Sequence, residues 1–127
     1  MLGVILCVQL IIYPSFAHIA RKQLVQWHAR YTRRISFLVV PLMLVQLVGG
    51  GYWFLSQPGL ASAVYLVLVL LLWGLTFRIF VPLHKRIGAG VADERTFARL
   101  VGKNWYRTAL WAVVFLWHLA AWAEWIP

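Results

Sequence analysis

Four histidines, a single cysteine and three carboxylates make up most of what this sequence offers for acid–base or metal chemistry. Cys7 has no second cysteine to pair with, so no intrachain disulfide forms, and it reads as a small apolar filler. The three acids, Asp93, Glu94 and Glu124, lie outside the apolar interior that paired-carboxylate catalysis or a di-iron carboxylate centre would require. A phosphate loop, a dinucleotide fingerprint and a serine elbow are all absent. Histidine, asparagine, arginine, tyrosine and glutamine remain. His28, Tyr31 and Arg34 precede one apolar stretch, His84 closes another, and Asn104, Trp105 and Arg107 open a third. If these ends converge, His84 shares the opening, His28 supplies a base, and Asn104 with Arg107 stabilises an oxyanion. Tyr31 and Arg34 would contact the same molecule, and Trp105 or Trp111 offers a ring to stack on it. Arg107 lies about one turn inside its apolar stretch, where a cation either snorkels or finds a partner.

A second group emerges from depth. At about 1.5 Å per residue, Gln9 falls roughly 12 Å below one end of its stretch. Gln46, Tyr65 and His118 reach comparable levels in theirs, which places four polar side chains from four helices in one layer. Polar groups in hydrocarbon face inward and pair, so the layer is either packing glue or part of a quinone or haem site. A metal site is not expected, because one histidine is an incomplete ligand set.

The elements that must position these residues are membrane spans. With 63% hydrophobic and 12% charged residues in 127, the chain is far too apolar for a soluble domain of its size. The apolar stretches run over about 1–17, 35–55, 60–83 and 105–126, near the length that crosses a bilayer. The expected fold is an all-α, four-helix transmembrane bundle in one domain. All twelve Lys and Arg fall at one end, in or beside the loops at 18–34 and 84–104. Basic loops stay cytoplasmic, which predicts a multi-pass protein of the inner membrane with both termini periplasmic. The first stretch lacks the basic start and small-residue cleavage pattern of a signal peptide, so it is expected to stay. The basic loops favour anionic lipid headgroups, and nucleic acid is not expected as a partner.

Within the first loop, Leu24, Val25, Trp27, His28 and Tyr31 recur at helical spacing among cations, which predicts an interfacial amphipathic helix before the second span. Gly49-Gly50-Gly51 is expected to end or loosen the second helix, and Pro58-Gly59 to make a turn. In the last loop, Asp93 or Glu94 caps a predicted short helix reaching Val101. Tyr52, Trp53, Trp122 and Trp125 mark the outer interface, and Trp105 and Tyr106 the inner one. Trp73, Trp111 and Trp117 fall between them, as packing groups or as rings for a planar ligand.

Several of these residues also form a series. Gln9 with Tyr13-Pro14, Trp27-His28, Tyr31-Thr32, Pro41-Leu42-Met43, Pro82-Leu83-His84 and Asn104-Trp105-Tyr106-Arg107-Thr108 together resemble a widespread group of small, uncharacterised bacterial four-helix membrane proteins. That group is distantly similar to the anthrone-oxygenase-like membrane family. The resemblance implies oxidation of a polycyclic aromatic substrate without flavin or haem, at His84, Asn104 and Arg107 with His28 as base. Gln46 stands where many relatives carry an acid, which removes one proton acceptor.

Two functions are consistent with this pattern. One is a binding protein or cofactor-independent oxidase for a hydrophobic aromatic or quinone-like molecule. The other is a non-enzymatic accessory subunit of a larger membrane complex, or a homo-oligomer, contributing to a haem or quinone site through His118. A transporter is a third option, disfavoured by the lack of an inverted repeat.

Overall fold

The computed structural model describes residues 1–123, apart from the side chains of Ala17, Arg21 and Lys22. Trp125 and Ile126, expected as an interface anchor and the end of the fourth span, lie outside the described residues, as does Glu124. The described chain is all-helical. Its four helices are α1 (Leu2–Ser15), α2 (Arg21–Ser56), α3 (Leu60–Gly88) and α4 (Glu94–Trp122). A 3₁₀ turn, Phe16–His18, comes after α1. Helix α3 packs between α2 and α4, and α4 also packs on α1.

Of the four, α2 and α3 are long and apolar enough to cross a membrane. Helix α1 is apolar but spans about 21 Å, short of a hydrocarbon core of about 30 Å. Helix α4 is long enough, but Arg95, Arg99, Lys103 and Arg107 crowd its first half and His118 interrupts its second.

Three expected boundaries move. The amphipathic segment before the second span is not a separate helix. It is the first part of α2, which continues for 36 residues, about 54 Å. Neither Gly nor Pro stands between residues 21 and 40, and a change from charged to apolar side chains does not by itself break backbone hydrogen bonding. Gly49-Gly50-Gly51 leaves α2 intact as well. Gly50 serves packing instead, since a Cβ there would sit 2.8 Å from Tyr65 Cε1. The short helix expected to reach Val101 runs on to Trp122.

Other local signals act as expected. Asp93 caps α4, accepting hydrogen bonds from the Thr96 amide at 2.8 Å and its hydroxyl at 2.6 Å. Those bonds hold its carboxyl below the usual aspartate range. Gly90 takes φ +72° after α3, a conformation suited to glycine. At the Pro58-Gly59 turn, Ser62 Oγ donates to the Gln57 carbonyl at 2.8 Å. The Trp117 indole donates to the Ala61 carbonyl at 2.9 Å and ties α4 to the start of α3.

Two prolines shape the helices from within. Residues Val8–Ile12 and Thr76–Phe80 are single π-helical turns, with Tyr13-Pro14 and Val81-Pro82 directly after them. A proline has no N–H to offer the carbonyl four residues back, and its ring crowds that carbonyl. The preceding turn widens, and the extra residue rotates the remainder of the helix away from the bearing of an unbroken one.

Two apolar layers fill the bundle. One holds Ile5, Met43, Tyr65, Val69, Leu72, Trp111 and Val114. The other, at the basic end, holds Val8, Tyr13, Phe16, Leu24, Phe80, Ile87 and Leu100. The outer faces are apolar too, with Phe37, Val45, Val48, Leu55, Leu70, Leu116 and Trp122 exposed. Meanwhile Gln9, His28, Ser62, Asn104, Arg107 and Thr108 are buried. Large apolar side chains thus lie on the outer faces as well as in the core.

Candidate functional site

A cavity of about 620 Å³ lies where the two layers meet. Ile5, Val8, Val39, Met43, Trp73 and Phe77 form apolar walls, and polar residues gather at the basic end. The exposed residues of its lining, among them Arg33, Val40, Phe77 and Lys85, all belong to α2 and α3, so its mouth lies between those helices.

At the polar end, His28 Nε2 and His84 Nδ1 stand 2.9 Å apart with their rings stacked at 5.1 Å. One nitrogen must donate and the other accept, so the pair holds a shared proton and at least one ring is neutral. Thr32 Oγ1 lies 3.4 Å from the same His28 nitrogen. Tyr31 lines the cavity and stacks on Trp27 at 5.4 Å, while Phe16 meets His28 and Tyr31 edge-on.

Arg107 reaches this end from α4. It is 6% exposed, with its guanidinium carbon 4.8 Å from the Phe80 ring centroid and Nη2 3.8 Å from Met43 Sδ. Its Nε has no hydrogen-bond partner in the protein. The side chain does not snorkel outward. It turns into the cavity beside Tyr13, Tyr31 and His84.

The sequence pattern puts His28, His84, Tyr31 and Arg107 in one place, and the structure does the same. Asn104 belongs elsewhere. It is fully buried, and its Nδ2 donates to Gln9 Oε1 at 2.7 Å, so its amide links α4 to α1. Of the two residues expected to act together, Arg107 lines the cavity and Asn104 does not. Trp105 and Arg34 are exposed and do not line the cavity, since each sits on the helix face turned from it. Trp111 is 1% exposed but packs in the core between Ile5, Met43 and Leu72. The aromatic side chains on the cavity are Trp73, Phe77 and Phe80 on its α3 side, with Tyr13 and Tyr31 toward the polar end.

The expected layer of Gln9, Gln46, Tyr65 and His118 divides. Gln9 pairs with Asn104, because the π turn at Val8–Ile12 sets its direction. Gln46 lies beside Tyr65, whose ring packs against Trp53 and, at 5.4 Å, against His118. His118 meets Trp53 edge-on at 5.6 Å and is itself exposed on the bundle surface. No group of three or more potential metal ligands occurs among the described residues.

Tyr13, Met43 and Phe80 join the site without having been expected there. Tyr13 and Phe80 border the two π turns, and the Tyr-Pro and Phe-Val-Pro sequences are the signal that could have found them. One face of α4 adds a further pattern. Asn104 Oδ1, Arg107 Nε, Thr108 Oγ1 and Trp111 Nε1, at positions i, i+3, i+4 and i+7, are buried without a protein hydrogen-bond partner. Buried orphan groups of this kind are uncommon in folded proteins, and each calls for a partner such as a bound water, an ion or a ligand. Comparison of this chain with protein-family models, curated proteins and solved structures finds no match.

Proposed function

We propose that this protein is a four-span membrane protein that binds a hydrophobic aromatic or quinone-like molecule in the cavity opening between α2 and α3. The observation that carries the reading is the cavity itself, with apolar and aromatic walls ending on a histidine pair and a buried arginine. Its volume is in the range of small-molecule sites, and a few convergent polar groups at one end are what fix a ligand's orientation. In the enzymatic form of this reading, the His28–His84 pair takes a proton and Arg107 holds a developing oxyanion.

The membrane placement is part of the proposal. The exposed apolar faces of α2, α3 and α4 suit lipid, and every Lys and Arg lies toward one end of the bundle. Basic loops on the cytoplasmic side put both termini and the Ser56–Gly59 turn outside. With Cys7 replaced by alanine, a cysteine introduced at Gln57 is expected to react with an impermeant maleimide on intact spheroplasts. One introduced at Ala89 is expected to react only after permeabilisation. The opposite pattern inverts the topology, and equal labelling of both removes it.

Ligand binding is tested with decylubiquinone in nanodiscs of neutral lipid. Saturable binding that quenches the protein's tryptophan fluorescence is expected, given Trp73 on the cavity wall. Quenching that rises linearly without saturation would remove the binding reading.

A further inference from the structure

We infer that the molecule held in this cavity carries a negative charge at its polar end, as a carboxylate or acidic phenol, and that Arg107 is its counter-charge. The inference rests on the binding proposal above and narrows its ligand class from apolar molecules in general to amphiphilic anions.

Arginine keeps its charge in proteins, so the cost of burying a guanidinium cannot be relieved by losing the proton. An isolated buried cation is expensive and is tolerated when paired or fully hydrogen-bonded. Arg107 has neither provision from the protein. Its contacts are a thioether and an aromatic face, its Nε is unpartnered, and its ionisable neighbours are phenols and imidazoles. Asp93 is occupied in capping α4, and among the described residues no acid lines the cavity. A cation–π contact offsets part of the cost, and the only acceptor the fork meets in the protein among the described residues is the weak one of the Met43 thioether.

A neutral guest would leave that charge uncompensated. An oxyanion would pair with it, and a carboxylate matches the fork with two parallel hydrogen bonds. The approach is also cationic. Arg33 and Lys85 stand exposed at the mouth, so the path from surface to Arg107 carries one sign of charge. A cleft lined by one sign with low-dielectric walls concentrates the opposite one. The apolar remainder of the guest would lie along Val39, Met43 and Trp73. Two sources supply this chemistry, a fatty acid or an acidic hydroxyquinone.

The test uses the full chain in nanodiscs of neutral lipid, with two acids and their uncharged derivatives. The probes are lauric acid against methyl laurate, and a 2-hydroxy-3-alkyl-1,4-naphthoquinone against its methyl ether. At least one acid is expected to bind tenfold or more tightly than its derivative, and which acid does so identifies the source. In Arg107→Gln that preference is expected to vanish. Equal affinity for acid and derivative in the unaltered protein overturns the charge inference while leaving the binding proposal standing. Failure of all four probes and of decylubiquinone overturns both. A preference that survives Arg107→Gln assigns the anion to another group and overturns the role of Arg107. The acid-against-derivative comparison needs no variant, so it decides the charge question even if Arg107→Gln does not fold.

Discussion

Ser36→Trp is expected to weaken decylubiquinone binding at least a hundredfold, about 2.8 kcal/mol, while the protein keeps its helical content. Ser36 lines the cavity one turn beyond Thr32, and its hydroxyl donates to the Thr32 carbonyl at 2.7 Å. An indole at that position occupies the space a ligand needs and meets no packed core that must yield. The site lies within an uninterrupted helix, so the backbone has no reason to change. Val45→Trp is the matched control, since Val45 is exposed on the outer face of α2. Binding is measured by fluorescence titration and helicity by circular dichroism. Unchanged affinity in Ser36→Trp would place the ligand outside this cavity.

The second large effect concerns the link between α1 and α4. Asn104→Leu removes the donor to Gln9 Oε1 and leaves a buried amide without its partner, at a cost of about 1–3 kcal/mol. Gln9→Leu is expected to cost a similar amount for the same reason. The double variant should cost less than the sum, because both polar groups then disappear together. Unfolding of all four proteins in mixed micelles with increasing dodecyl sulfate gives the cycle. Strict additivity would mean that the 2.7 Å contact couples nothing. Hydrogen bonds between membrane helices average well under 1 kcal/mol, so a coupling above that average would mark this pair as unusually well isolated.

The parts of the site that are legible in the sequence are those fixed by where a residue sits along its helix. His28 and His84 occur where charged sequence gives way to apolar sequence, and Arg107 one turn past such a change, so counting alone puts them at one end of a bundle. Direction around the helix is harder. Asn104 and Arg107 share the face that their spacing predicts, and it also holds Thr108 and Trp111. What that face touches depends on its neighbours. Counting along an ideal α-helix levels Gln9 with Gln46, but the segment is a π turn. One extra residue changes the bearing of Gln9 enough to meet Asn104 instead.

Trp105 and Arg34 show the opposite error. Their residue types suit a ligand, but each lies on the outer face of its helix, which nearness in sequence to a true site residue does not reveal. The continuity of α2 is hidden in the sequence because a charge boundary looks like a structural one. Glycines likewise look like breakers. In the proposed membrane setting a helical backbone has no better partner for its amides than the helix itself, and at Gly50 the ring of Tyr65 packs where a Cβ would otherwise stand.

The side-facing mouth between α2 and α3 changes what affinity means for this site. On the proposed membrane placement, a molecule reaching the cavity through that gap comes from the lipid, and its effective concentration is its mole fraction in the leaflet. Apolar molecules partition into the bilayer so strongly that a dilute aqueous pool corresponds to a crowded membrane one. The protein then needs little intrinsic apolar affinity, because leaving lipid for an apolar cavity gains little. Discrimination rests on what lipid tails cannot supply, the histidine pair and the guanidinium. If the proposed placement and binding hold, selectivity is carried by a few polar atoms, and occupancy is set by the composition of the membrane around the site.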